Sequence, residues 1–113
     1  MVNELREANW KDRLLYFLGR RRAFLVEGES MLPLLKNGEV VLISPKARIK
    51  PGDIALANHP YRAHLKILKR IAAIESNGDL ILLGDNPAQS TDSRAFGAIS
   101  AEHLIGKVVC RLK

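Results

Sequence analysis

The sequence has little of the residue types that mark several classes of protein. One cysteine, Cys110, occurs among 113 residues, which excludes an internal disulfide, and its apolar neighbours predict a place in the core. The three histidines, His59, His64 and His103, lack the spacing of metal ligands, so we expect neither a metal nor another cofactor. Repeats and low-complexity linkers are also missing, and the length fits one compact domain.

Long apolar runs are missing too. The apolar stretch near the start of the chain covers only residues 14–18, whereas a helix that crosses a bilayer needs about 20 apolar residues. The same segment has neither the apolar core nor the small-residue cleavage site of a secretory signal. We therefore expect no transmembrane segment. Together with the single cysteine, this predicts a reducing, cytoplasmic setting.

Basic charge and hydrophobic residues are what the sequence has in quantity. Lysine and arginine number 18 against 12 acids, a net charge of +6, and 47% of the residues are hydrophobic, which suffices for a core. A basic surface attracts acidic partners, nucleic acid or anionic lipid. One alternative is therefore a nucleic-acid-binding module without catalytic activity. Because the chain lacks a zinc motif and an aromatic platform, we expect no nucleic-acid partner.

The periodicity of the apolar residues predicts one helix followed by strands. Residues 4–18 form an amphipathic helical pattern that places Trp10, Leu14, Phe17 and Leu18 on one face. Short apolar or β-branched runs bounded by Gly, Pro or Asn predict strands at 23–27, 39–44, 53–58, 79–83 and 105–112. The pattern therefore indicates a mainly β fold with an N-terminal helix.

The segment around Lys69 fits two patterns. One set of apolar residues recurs at helical spacing, and another, from 65 to 71, alternates as in a strand. The Asn-Gly pair at 77–78 is a strong signal for a hairpin turn between this segment and the next apolar run. The hairpin favours the strand, so we expect Lys69 to lie on a strand of an antiparallel sheet.

Ser30 and Lys69 are the candidate catalytic pair. A serine hydroxyl is a weak nucleophile and needs a base, and no histidine is well placed by sequence for that role. Lysine acts as a base only when neutral, and burial among apolar residues can lower its pKa of about 10.4 by roughly 3–5 units. Lys69 has such neighbours, Ile67, Leu68 and Ile71. The alternative is a lysine that extends its ammonium group to solvent from a half-buried strand.

The turn that carries Ser30 is framed by Gly28 and Pro33. Glycine permits unusual backbone angles before the serine, and proline fixes the chain soon after it. Such a turn can hold a hydroxyl clear of the backbone and direct amide N–H groups at a developing oxyanion. The same composition is common in plain turns, so the motif becomes specific only in combination with others.

Four motifs in one order resemble those of the bacterial type I signal peptidase family. Gly-Glu-Ser-Met-Leu-Pro at 28–33 is similar to the nucleophile box, and Pro-Gly-Asp-Ile at 51–54 is similar to the Gly-Asp-hydrophobic box. Leu-Lys-Arg-Ile at 68–71 is similar to the box that carries the general base. The most specific match is at 84–97, where Gly-Asp-Asn and Ser-Thr-Asp-Ser-Arg stand at the family's spacing. The alternative for that last segment is a solvated polar loop.

The resemblance implies a catalytic role for three of these residues and a structural role for two. Ser30 would be the nucleophile and Lys69 the general base. Ser90 would form a hydrogen bond with the lysine amine and orient it. Asp92 and Arg94 would form a structural ion pair near the site. The family's fold is a coiled antiparallel sheet of the signal peptidase and repressor-peptidase type, which implies a catalytic domain at 23–113 after a helix and basic segment at 1–22.

The nucleophile box also implies where substrate lies. The residues that would contact substrate are Gly28, Met31 and Pro33. Some members of the family have a serine at the position of Gly28. With glycine in its place, the oxyanion hole would rest on the backbone N–H of Ser30.

Because no membrane anchor is expected, the chain resembles most the soluble nickel-type superoxide dismutase maturation peptidases. These are implied to remove a short N-terminal leader, so a nickel superoxide dismutase precursor is the expected protein partner. A self-cleaving, repressor-like Ser–Lys peptidase is the alternative. Those proteins carry an Ala-Gly or Cys-Gly cleavage pair upstream of the serine and a DNA-binding domain. The sequence has neither pair, and 22 mostly helical residues are too few for that domain.

The predicted N-terminal helix raises a separate question. Basic residues flank an apolar face with Trp10 and Phe17, a pattern found in helices that lie on a membrane surface. The acids Glu4, Glu7 and Asp12 would repel anionic lipid. We therefore expect the helix to pack on the sheet or against a partner, with weak peripheral membrane contact as the alternative.

Overall fold

The computed structural model describes residues 5–112. Residues 1–4 and 113 lie outside the described part of the chain. The first residue of the predicted helix, Glu4, and the outer ends of the predicted segments 1–22 and 23–113 therefore lie outside it as well.

Six strands form one antiparallel sheet, which confirms the predicted mainly β fold. Along the sheet their order is β1-β2-β6-β3-β4-β5. Each strand lies within two residues of a predicted run at either end, except β4, whose segment was predicted from the hairpin signal. The strands are β1 (Arg22–Leu25), β2 (Val40–Ser44), β3 (Ile54–Asn58), β4 (Lys66–Ile74), β5 (Leu80–Leu83) and β6 (Leu104–Arg111).

The sheet curls around two apolar clusters, and strand β3 contributes to both. Ile54 and Leu56 face the cluster that also contains Met31, whereas Ala55 and Ala57 face the second cluster. Side chains alternate between the faces of a strand, so a strand buried on both faces reads as a continuous apolar run. This central strand lies beside β4, and it therefore supports the strand that carries Lys69.

Lys69 lies within β4, as the hairpin signal predicted. Residues between β4 and β5 form a tight connection in which Gly78 adopts a φ of 91°, a conformation that favours glycine. Across the sheet the register partner of Lys69 is Ala55 of β3. The prediction of a strand rather than a helix is therefore confirmed.

The first helix, α1 (Trp10–Phe17), is shorter than the predicted 4–18. Asn9 caps it, since its side chain accepts hydrogen bonds from the backbone N–H groups of Lys11 and Asp12. The preceding residues cannot be helical because they pair with the end of β6, where the Ala8 N–H donates to the Arg111 carbonyl at 2.9 Å. A second short helix, α2 (Ser93–Phe96), was not predicted.

The apolar face of α1 does not pack on the sheet. Trp10 is 68% exposed and Phe17 is 85% exposed, whereas the buried residue of the helix is Asp12. Of the two expected arrangements, packing of the apolar face on the sheet does not occur, and packing against a partner stays a prediction. Across residues 5–112 no helix combines the length and the apolar character that a bilayer crossing requires.

Candidate active site

Ser30 and Lys69 line one groove, with a volume of about 190 Å³. One wall is the chain that leaves β1 and leads into the Ser30 turn, and the other wall is the start of β4. The walls contain both apolar and polar side chains. Their residues are Phe24, Val26, Glu27, Gly28, Ser30 and Met31 on one side and Leu65, Lys66, Ile67, Leu68 and Lys69 on the other.

The Ser30 turn is held in place from both ends. Gly28 has a φ of 82°, and its N–H donates to Asn37 Oδ1 at 2.8 Å. Asn86 binds the other side of the turn, because its backbone N–H donates to the Ser30 carbonyl at 2.8 Å and its Nδ2 donates to the Glu29 carbonyl at 3.0 Å. Two distant segments therefore fix the backbone that carries the serine.

The backbone N–H of Ser30 has no hydrogen-bond partner within residues 5–112. A turn that leaves this donor unused at the groove provides what a developing oxyanion requires. The N–H group is therefore free for the oxyanion role that the family resemblance implies for it.

Lys69 is buried, with 6% of its surface exposed, and its Nζ donates to Ser90 Oγ at 3.1 Å. Burial lowers the pKa of this amine below its ordinary value of 10.5, against the nearby Asp92 carboxylate, which raises it, and together with Arg94, which lowers it. Within the described residues there is no hydrogen bond between Lys69 and Ser30. The alternative of a lysine that reaches solvent does not fit this burial.

Asp92 anchors the loop that carries Ser90. The carboxylate is 1% exposed, and burial alone would raise its pKa. Hydrogen bonds from Arg94, from the Ser90 hydroxyl at 2.6 Å and from the Gly84 N–H at 2.8 Å together outweigh burial, so the pKa of Asp92 lies well below its usual range. The structure contains the Asp92–Arg94 ion pair that the resemblance implies.

Gly84 allows the loop to approach the serine turn. A Cβ atom at this position would lie 2.2 Å from Ser90 Oγ and 2.8 Å from the Ser30 carbonyl oxygen. No side chain fits there, so the glycine permits the contact between the two segments. Gly84 and Asn86 belong to the motif at 84–97, but the sequence does not indicate this role for either of them.

An ion pair joins three of the four motifs. Arg70 donates through Nε and Nη2 to the carboxylate of Asp85 at 2.9 and 2.7 Å, and through Nη1 to the Gly52 carbonyl at 2.8 Å. A guanidinium group held by three such hydrogen bonds fixes the relative positions of the three motifs. Sequence reasoning missed this link, although Arg70 follows Lys69 directly.

The residues predicted to contact substrate are not all in the groove. Gly28 and Met31 line it, and Met31 is 2% exposed with its side chain in the core. Pro33 is exposed in the turn after Ser30 and does not line the groove. Residues 5–112 contain no group of three or more His, Cys, Asp or Glu side chains that could hold a metal ion.

A curled antiparallel sheet that brings a serine turn and a buried lysine into one groove defines a hydrolase-like core. Comparison with protein families agrees. The chain belongs to the Peptidase S24-like family, which matches residues 6–109. The prediction of a signal peptidase-like peptidase family is thereby confirmed.

Similar proteins of known description are proteases. The chain is 28% identical to mitochondrial inner membrane protease subunit 1 of Xenopus tropicalis, over 78% of this chain and 66% of that protein. It is 27% identical to the same subunit of Homo sapiens and 29% identical to mitochondrial ATP-independent inner membrane protease subunit 1a of Arabidopsis thaliana, over 67% of each of those proteins and 78% and 77% of this chain. The chain therefore spans about two thirds of the length of these relatives.

The prediction of a cytoplasmic setting is contradicted by these relatives, which are named for the mitochondrial inner membrane. The prediction relied on the single cysteine and on the expected lack of a transmembrane segment. Cys110 is a free thiol buried in the core. A buried free thiol is compatible with either compartment, so it carries no information about localisation.

Proposed function

We propose that this protein is a serine endopeptidase that removes an N-terminal leader from a precursor protein, with Ser30 as nucleophile, Lys69 as general base and 23–113 as catalytic domain. The observation that supports this most is the environment of Lys69. A lysine with 6% exposure, a lowered pKa and a place in the same groove as a turn serine is suited to accept a proton.

In the first half of the proposed reaction, neutral Lys69 accepts the hydroxyl proton of Ser30 while Ser30 Oγ attacks the carbonyl carbon of the scissile bond. The backbone N–H of Ser30 stabilises the oxyanion. When the tetrahedral intermediate collapses, the C–N bond breaks and Lys69 returns the proton to the leaving amine. The acyl group then remains on Ser30 as an ester.

In the second half, a water molecule takes the place of the leaving amine. Lys69 accepts a proton from the water as its oxygen attacks the ester carbonyl. The C–O bond to Ser30 breaks, and the proton passes from Lys69 to Ser30 Oγ. The free enzyme and a new carboxyl end are the products, so the cycle needs no cofactor.

The groove suggests how substrate binds. Its walls contain strand residues on both sides, so an extended peptide can lie between them with side chains pointing alternately inward. The groove volume of about 190 Å³ limits the size of the side chains that it can hold. The signal peptidase resemblance also implies small residues at one and three positions before the scissile bond, and such residues would fit this groove.

The identity of the precursor is a separate part of the proposal. A nickel-type superoxide dismutase precursor follows from the sequence resemblance alone, and the relatives carry other names. The class of substrate that we propose is therefore a protein with a cleavable leader. The superoxide dismutase precursor is the first member of that class to test.

The test is a cleavage assay in which wild type and Ser30→Ala act on the nickel superoxide dismutase precursor and on a panel of leader-bearing precursors. Mass spectrometry reads the new N-terminus. A matched control is Ser76→Ala, which changes an exposed serine in the β4–β5 turn. We expect one defined cut by wild type and Ser76→Ala and none by Ser30→Ala. Equal cleavage by Ser30→Ala would reject the serine mechanism, and cleavage of another precursor alone would reject the superoxide dismutase substrate.

A further inference from the structure

The helix α1 presents its apolar face away from the protein. Four large side chains on or just after it are exposed: Trp10 at 68%, Leu14 at 47%, Phe17 at 85% and Leu18 at 58%. We call these four residues the apolar face. At 100° per residue they lie on one side of the helix, so they form a continuous surface and not isolated apolar side chains.

The opposite side of α1 is held to the protein by a charged residue. Asp12 is 4% exposed and accepts hydrogen bonds from both terminal nitrogens of the Arg6 guanidinium, at 2.6 and 2.8 Å. Because this carboxylate is buried and paired, it adds no repulsion at the helix surface. Asp12 therefore no longer counts among the acids that would repel anionic lipid. Glu7, another of those acids, lies before the first residue of the helix.

Cations border the apolar face. Lys11 and Arg13 are exposed on its two flanks. At the end of the helix a second groove, of about 440 Å³, is lined by Gly19, Arg20, Arg21, Ser44, Pro45 and Lys46, and we call it the basic groove.

We infer that the apolar face and the basic groove together dock this protein on the surface of an anionic phospholipid bilayer. Apolar side chains enter the boundary between headgroups and acyl chains, and the cations at its border contact lipid phosphates. A second copy of the chain would bring the same cations face to face, so charge favours the lipid surface. The inference does not depend on the proposed peptidase reaction.

Trp10 provides a direct probe, since it is the only tryptophan in the sequence. The experiment mixes the whole protein with vesicles of equal parts phosphatidylcholine and phosphatidylglycerol, and with vesicles of phosphatidylcholine alone. We expect a blue shift of Trp10 emission and co-sedimentation with the anionic vesicles only. Binding should fall steeply at about 1 M NaCl, where the Debye length is about 3 Å. Equal binding to the neutral vesicles, or no emission shift with the anionic ones, would overturn the inference.

Two pairs of variants separate the apolar and basic contributions. Phe17→Glu should reduce binding at least about tenfold, whereas Tyr61→Glu, at a residue that is 77% exposed elsewhere, should not. Arg20→Gln with Lys46→Gln should weaken binding more than the charge-matched Lys36→Gln with Arg48→Gln, which are exposed and do not line the basic groove. Wild-type affinity in Phe17→Glu would overturn the inference. Sedimentation of wild type as a dimer that Phe17→Glu dissociates, without vesicle binding, would also overturn it and assign the apolar face to a second copy.

Discussion

The amine nitrogen of Lys69 lies 3.1 Å from Ser90 Oγ, and that hydroxyl lies 2.6 Å from a carboxylate oxygen of Asp92. An ionised carboxylate only accepts hydrogen bonds, so the single hydroxyl proton of Ser90 points at Asp92. Ser90 must then accept from Lys69, and the lone pair of the neutral amine is left for another proton. In our proposal that proton comes from Ser30.

Replacement of Ser90 by alanine tests this arrangement. Without the acceptor, the amine loses its orientation, and we expect kcat to fall about 10- to 100-fold with little change in KM. The exposed neighbour Thr91→Ala is the control and should keep wild-type rates. Steady-state cleavage kinetics measure the effect, and an unchanged kcat in Ser90→Ala would show that the amine needs no such partner.

The pH profile tests the charge of Lys69. Because burial lowers its pKa below 10.5, activity should rise with pH along a limb whose midpoint lies below that value. Arg94 lowers this pKa, so Arg94→Gln should move the limb to higher pH. Lys69→Arg should be inactive because guanidinium stays charged. Robust turnover by Lys69→Arg would remove Lys69 from the mechanism.

The lowered pKa of Lys69 should also make the stability of the fold depend on pH. The pKa of Lys69 is lower in the folded chain than in the unfolded chain, so the unfolded state binds more protons between the two values. The free energy of unfolding should therefore rise with pH through this interval in wild type. Urea denaturation at a series of pH values measures it, and Lys69→Met should lose this increase. An identical pH dependence in both proteins would show that the amine is not buried in solution.

Gly84→Ala tests the contact between the loop and the serine turn. A methyl group 2.2 Å from Ser90 Oγ must displace it, so we expect loss of activity and about 1–3 kcal/mol of destabilisation. Gly38→Ala is the control, since its Cβ would meet nothing within 4 Å and only backbone strain is added. Cleavage rates and urea denaturation distinguish the two. If Gly84→Ala is no less active than Gly38→Ala, the close approach has no role in catalysis.

Asp12 should make stability sensitive to acid. The hydrogen bonds from Arg6 lower its pKa from 3.8 to about 2, so its contribution is full above pH 3.8 and is lost as the pH falls toward 2. Arg6 is half exposed, so we expect Asp12→Asn to cost only about 1–2 kcal/mol at neutral pH. The exposed Glu102→Gln is the control. Equal stability of Asp12→Asn and wild type at neutral pH would contradict this account.

The strands could be predicted because their signals are local. Apolar runs bounded by glycine, proline or asparagine gave most of them, and the Asn-Gly turn decided the segment around Lys69. The buried lysine could also be anticipated from its apolar neighbours. The orientation of α1 could not be predicted from the sequence. An apolar stripe at helical spacing predicts an amphipathic helix but does not say which side of it meets the sheet. Only the pairing of Asp12 with Arg6 decides that.

The contacts that assemble the site also could not be predicted from the sequence. Asn86 binds a turn that is more than fifty residues away, and Gly84 matters only because Ser90 and Ser30 both come close to it. Such long-range contacts depend on how the sheet curls. The motif at 84–97 indicated that the segment is functional, but not which atoms it brings to the serine.

The most direct measurement of the central claim is detection of the acyl-enzyme. Wild type, Ser30→Ala and Lys69→Met are mixed with a p-nitrophenyl ester of a short alanine-rich peptide, quenched in acid and mapped by mass spectrometry. We expect a peptidyl ester on Ser30 in wild type and no adduct in either variant. An adduct on another residue, or equal acylation of Ser30 in Lys69→Met, would contradict the proposal that Lys69 activates Ser30.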